Sequence, residues 1–224
     1  MGRSSLWVYN RFVTAYIDRA GDPSITDTEF TEQYNLNALS VFKNRFGNDN
    51  MRNEKGDIPF AWEMSDTDTV KWQPLIKSKE SITDINGKIT NATIEALIGG
   101  KIYHIRFDRK DLLGEYRYCR FVRHNDYGIQ KQNEFKEPRE LFPIWRGFED
   151  YFQIEPKAVR DVQITAIKYP NELVLDFDNP ANNKDTDLTD SAIDEVLWRM
   201  ASAYGVQIRD QQLTVDSLQQ EKLQ

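Results

Sequence analysis

The sequence predicts an α+β protein, with an N-terminal helical hairpin and a C-terminal helix flanking a central antiparallel β-sheet or sandwich. Apolar residues recur at three- and four-residue spacing near both ends of the chain, which is the period of a helix with one buried face. Between about Thr69 and Phe177 the spacing shifts toward strict alternation, the period of a half-buried strand. The chain is also long enough for a core: 224 residues with 39% apolar and 12% aromatic content can bury roughly 70% of the extended surface without covalent staples.

The first helix is expected from Leu6 to Ile17, where Leu6, Tyr9, Phe12, Val13, Tyr16 and Ile17 form one stripe. Gly21 and Pro23 end it, since glycine accepts the left-handed cap and proline cannot continue the ladder. Thr26 and Glu29 then have the spacing of a capping box, in which hydroxyl and carboxylate satisfy each other's free backbone N–H groups. Phe30, Tyr34, Ala38, Val41 and Phe42 carry the second stripe up to Gly47, and the two helices make the hairpin of segment 1–47.

Segment 48–71 has neither period. Its isolated Pro59-Phe60-Ala61-Trp62 places two large aromatics in an irregular excursion of more than 20 residues, a length that is usually functional or disordered. Phe60 and Trp62 are therefore candidates for docking on a partner, such as another subunit.

Segment 72–178 is the β-rich region. Asn86-Gly87 lies between short alternating runs, the strongest short-range hairpin signal, because both residues tolerate positive φ. Gly99-Gly100 reads as a tight turn feeding a strand in which Tyr103, Ile105 and Phe107 alternate with His104 and Arg106. Val162, Ile164 and Ala166 alternate in another strand that Tyr169-Pro170 should end or place at an edge. Leu173-Val174-Leu175 reads as a further strand, and Pro138–Phe142 as a short helix. A polar linker over 179–188 leads to segment 189–224. There Asp187 or Thr189 can cap a helix whose stripe is Ile193, Val196, Leu197, Met200, Ala201 and Tyr204, with Asp190, Asp194 and Glu195 at its positive end. Gly205 marks a stop or kink. Residues 206–224 offer only scattered apolar side chains among Gln, Asp and Glu. Ile208, Leu213, Val215 and Leu218 are thus candidates for burial on a partner, whether as an extended tail or as a helix that needs one. The segments together read as one structural unit.

Composition excludes several classes of function. The net charge of −7 resides in residues 171–224, where four basic residues face eleven acidic ones, so that end is repelled by a phosphate backbone. No apolar run approaches the ~20 residues that cross a bilayer, and the first twelve residues lack the apolar core and cleavage site of a signal peptide. One cysteine, Cys119, forms neither an internal disulfide nor a Cys₂His₂ or Cys₄ zinc site. Nucleophilic catalysis would need Cys119 or a serine beside His104 or His124, and Cys119 reads better as a small buried hydrophobe. No phosphate-binding glycine loop occurs and no cofactor is implied. Lys101–Arg123 mixes seven basic, three acidic and five aromatic residues, but its arginines fall on both strand faces and draw no single stripe. Asp176 and Asp178 alternate as paired carboxylates would at a cation site, a spacing equally natural at a solvated strand end. No catalytic set emerges, and the chain is expected not to be an enzyme.

The stretch Phe152–Lys157 leading to Val162–Pro170, together with the closing helix Ser191–Asp210, resembles the virion structural proteins of tailed bacteriophages. It is most similar to the neck ring proteins of crAss-like phages, which infect gut Bacteroidales, and the likeness is best over about the last 75 residues. The resemblance implies a head-to-tail adaptor made in the host cytoplasm and incorporated in the virion. It would form a ring with copies of itself, twelve-fold by family habit, contact the portal protein and neighbouring neck or tail proteins, and let DNA pass through its lumen without specific binding. No membrane is involved. A baseplate or tail-stopper role in the same kind of virion, and a carboxylate-metal enzyme using Asp176 and Asp178, are the alternatives.

Overall fold

The computed structural model describes residues 2–17, 25–46, 70–111, 113–133, 137–157 and 160–203. The chain divides into two compact units, one spanning Leu75–Tyr169 and the other built from the two ends of the chain. The α+β class holds: helices gather at the ends, and two four-stranded sheets form the middle.

In the unit made from the chain ends, helix α1 (Ser5–Phe12) starts at Ser4, whose hydroxyl accepts from the Trp7 N–H, and runs on into a π-helical turn over Val13–Ile17. Helix α2 (Asp27–Phe46) begins at the expected capping box: Glu29 N–H donates to Thr26 Oγ1, and Thr26 N–H donates to Glu29 Oε2, each at 3.2 Å. Phe30, Tyr34, Ala38, Val41, Phe42 and Phe46 are its buried face. Helix α5 (Asp190–Ala203) buries Ile193, Val196, Leu197, Met200 and Ala201 of the expected stripe and Ala192 besides, while Tyr204 lies outside the described residues. The expected helical hairpin is not the main helix pairing. Helix α2 packs principally on α5 and meets α1 through the rings of Tyr9, Phe12 and Phe30. The reason is complementary apolar area, because both stripes are long and aliphatic or aromatic. The acidic residues of α5 find cations from distant sequence: Arg3 pairs with Asp190, Arg11 with Asp194 and Lys71 with Glu195.

Leu173-Val174-Leu175 forms no sheet strand. Its backbone is held by side chains of α2, with Asn35 Nδ2 donating to the Leu173 carbonyl and Leu173 N–H donating back to Asn35 Oδ1, both at 2.9 Å. Leu175 N–H donates to Thr31 Oγ1. Amide and hydroxyl groups thus supply the pairing that a neighbouring strand would provide.

The Leu75–Tyr169 unit contains two sheets. The first is antiparallel in the order β1 (Ile76–Ile82), β8 (Asp161–Lys168), β3 (Ile102–Lys110), β4 (Tyr116–Tyr118). The second runs β2 (Lys88–Thr90), β7 (Tyr151–Glu155), β6 (Ile144–Gly147), β5 (Arg120–Phe121), with β5 and β6 parallel. Their inner faces share one core. Phe107 of the first sheet meets Trp145 and Phe152 of the second at ring-centroid distances of 5.1 and 5.4 Å, and Val162, Ile164 and Ala166 fill the same cluster.

Three local expectations are corrected in this unit. The Asn86-Gly87 turn exists, with Gly87 at φ +73° and Asp84 Oδ1 accepting from the Asn86 and Lys88 N–H groups. It does not close a hairpin, because β1 pairs with β8 in one sheet while β2 pairs with β7 in the other. Two helices, α3 (Asn91–Ile98) and α4 (His124–Gln132), interrupt the strands where only strands were expected. Helix α3 is capped by Thr90 and buries Ile94 and Ile98, and its left-handed cap is Gly99, so the Gly99-Gly100 turn is a helix C-terminus. Pro138–Phe142 is a turn closed by Arg139 and Phe142 rather than a helix.

Candidate functional site

The Leu75–Tyr169 unit contains a cavity of about 280 Å³ lined by helix α3, strand β3 and the second sheet. That is room for about nine waters at ~30 Å³ each, near the lower end of ligand-site sizes of roughly 300–1,000 Å³. Helix α3 contributes Asn91 and Glu95, which stand four residues apart and so share one face. Strand β3 contributes Ile102, Tyr103, His104 and Ile105. Its register slips here: Ile102 pairs with Lys168 but His104 pairs with Ile167, leaving Tyr103 as the extra residue of a bulge. Bulges re-aim side chains and are frequent beside functional sites. The second sheet supplies the aromatic wall of Trp145 and Phe152.

Polar satisfaction at this cavity is incomplete. Asn91 is anchored, with its Nδ2 donating to the Glu149 carbonyl at 2.7 Å and its backbone N–H to the Asp150 carbonyl at 2.9 Å. Its Oδ1 is buried without a hydrogen-bond partner, as is the indole Nε1 of Trp145. Buried polar atoms in native proteins are nearly always paired, so a water or a bound group is needed to satisfy these two. Burial holds the His104 imidazole below its ordinary pKa, which keeps it neutral at pH 7.

Other sequence candidates resolve differently. Phe60, Trp62, Ile208, Leu213, Val215 and Leu218 lie outside the described residues. Cys119 is the single residue between β4 and β5 where the chain crosses from one sheet to the other, and it is fully buried. Burial pushes its thiol up to about 12, so it stays protonated and unreactive. His124 is exposed, and its ring meets that of Phe148 in a tilted pair with centroids 4.7 Å apart. Asp176 does not share a strand face with Asp178: its two carboxylate oxygens accept from the Asn179 N–H and Asn182 Nδ2, which closes a loop.

The cations of Lys101–Arg123 are largely consumed within the fold. Arg106 pairs with Asp108, Arg117 with Asp111, and Arg120 donates to Gln130 Oε1. Arg109 is buried at 1% exposure; Nε, Nη1 and Nη2 have no hydrogen-bond partner, and Nη2 lies 3.9 Å from Glu140 Oε1. No helix among the described residues is long and apolar enough to cross a membrane.

Sequence reasoning missed the cavity because it missed α3. The signal was present in Thr90-Asn91-Ala92-Thr93, a helix N-terminus preceding Ile94, Leu97 and Ile98. No protein-family model matches the chain, and neither does any curated protein.

Proposed function

We propose that the chain is a virion structural subunit of a tailed bacteriophage, assembling with copies of itself into a ring in the neck and joining portal to tail. The observation that carries this reading is exposed apolar surface at turns. Ile82 and Ile85, either side of the Asp84 cap, are 67% and 71% exposed, and in a separate turn the consecutive residues Leu141 and Phe142 are 62% and 72% exposed. Single exposed apolar residues are ordinary, but paired ones at turns are suited to burial on a neighbouring molecule.

Other features agree with it. A ring subunit places one patch against a different patch of the next copy, so it needs two surfaces rather than one self-complementary face. Strand β1 has a free edge seven residues long among the described residues, available for pairing along the backbone. Arginines held in internal ion pairs, with all the net charge in the acidic last quarter, suit a channel through which DNA moves without sticking. The resemblance to neck ring proteins of crAss-like phages supplies the twelve-fold count and the portal as the template.

The test is electron microscopy and native mass measurement of the chain with and without portal-containing particles. Closed rings on those particles are expected, and a virion of the encoding phage without rings of this chain would refute the proposal. Ile82→Asp combined with Phe142→Asp should leave the monomer folded and abolish ring formation.

A further inference from the structure

The cavity beside α3 has a definite chemical bias. Its lining carries one formal negative charge, on Glu95, and neither lysine nor arginine. The Glu95 carboxylate has no ion pair or hydrogen bond among the described residues. One helical turn before it, Asn91 presents a buried acceptor, Oδ1, without a donor. The orientation of that amide is set by the bond from Nδ2 to the Glu149 carbonyl, so the oxygen cannot flip away without breaking it. The same lining includes the aromatic rings of Trp145 and Phe152, and π-systems attract cations. A carboxylate, an unpaired amide oxygen and two aromatic rings, with neither lysine nor arginine among the described lining residues, suit a positively charged donor group.

We propose that this cavity binds the protonated end of a primary amine or a guanidinium, either free or carried on a lysine or arginine side chain. The N–H donors of such a group satisfy Glu95 and Asn91 together, and its aliphatic stem occupies the space against Ile102, Ile105 and Phe152. The site lies wholly within the Leu75–Tyr169 unit, so its occupancy does not depend on ring assembly.

The experiment is a titration of the full ¹⁵N-labelled chain with n-butylammonium and methylguanidinium, following the Trp145 indole N–H and the Asn91 side-chain amide. The indole signal is assigned with Trp145→Phe. Saturable shifts are expected at millimolar concentrations for both cations, and only weak ones for n-butanol, which has the same stem without the charge. Glu95→Gln should keep the spectrum of the folded chain and weaken n-butylammonium about tenfold, the scale of one charge-assisted hydrogen bond. Putrescine and Nα-acetyl-lysine methylamide separate the sources: tighter binding of the lysine derivative supports a protein side chain, and tighter binding of putrescine supports a free amine. Equal affinity for n-butanol, an unchanged affinity in Glu95→Gln, or the absence of saturable shifts at tens of millimolar would overturn the proposal.

Discussion

Arg109 lies in β3 with 1% of its surface exposed, none of its three guanidinium nitrogens hydrogen-bonded, and one carboxylate within 4 Å among the described residues, that of Glu140, 3.9 Å away and 46% exposed. Attraction across that distance is about 4 kcal/mol at an effective dielectric of 20 and about 1 kcal/mol at that of water, and the exposure of Glu140 moves it toward the lower figure. Against it stand a desolvation cost of several kcal/mol for a buried ion and about 1–3 kcal/mol for each buried group left unpaired. Burial accordingly pulls the guanidinium below its usual pKa, with Glu140 opposing. The costs exceed the attraction. Arg109→Met, which keeps an unbranched stem and removes the charge, should stabilise the chain by about 1–4 kcal/mol, the range seen when buried ions are replaced by well-packed apolar residues. Urea unfolding at neutral pH should show a higher midpoint with an unchanged slope, and thermal unfolding a rise of roughly 2–4 °C per kcal/mol. Arg109→Lys should bring no such gain, because the buried charge remains. A methionine variant less stable than the parent by more than about 1 kcal/mol would refute the reasoning and mean that the guanidinium is held by contacts stronger than the Glu140 pair.

The remaining predictions concern backbone geometry, acid stability and thiol chemistry. Gly87→Ala should cost about 2 kcal/mol or more in urea unfolding, since φ is +73° there and an added Cβ would lie 2.3 Å from the Ile154 carbonyl oxygen. Asp84, Asp111 and Asp176 are held below the ordinary carboxylate range, chiefly by backbone N–H donors for Asp84 and Asp111 and by the Asn182 side chain for Asp176. Because their folded values are depressed, the stability they contribute is present above the unfolded value of about 3.9 and is lost as pH falls below it. Urea midpoints measured at pH 6 and pH 3 should therefore differ less in an Asp84→Asn, Asp111→Asn double variant than in the parent. Cys119 should react with a thiol reagent only at the rate of unfolding, and rapid labelling of the native chain would contradict its burial.

Much of the fold was legible because it follows from local chemistry. The Thr26–Glu29 capping box, the stripes of α2 and α5, the alternation in β3 and β8 and the end of β8 before Pro170 all depend on residues within a turn or two of one another. The Asn86-Gly87 turn was legible as a turn for the same reason, since positive φ is a property of the residue. Its partners were not. Whether two strands flanking a turn pair with each other or with strands far along the chain depends on which apolar faces meet, and β8 offered β1 a seven-residue register that β2, three residues long, could not match. The candidate site was less legible than the fold. Glu95 and Trp145 carry no motif, and their relation exists only because α3 and β6 line the same cavity.

The sequence by itself determined the α+β class, the helices of the two ends, the strands beginning near Ile102 and Val162, the buried character of Cys119 and the concentration of negative charge after residue 170. Tertiary structure decided that the two chain ends fold together, that α2 pairs chiefly with α5, that Asn35 and Thr31 replace a strand beside Leu173 and Leu175, and that Asn91, Glu95, Trp145 and Phe152 line one cavity. The physical reason is range. Backbone preference and hydrophobic period act over a few residues, whereas the choice among packing partners is made by non-directional apolar burial, which discriminates only through the shape and extent of the faces brought together.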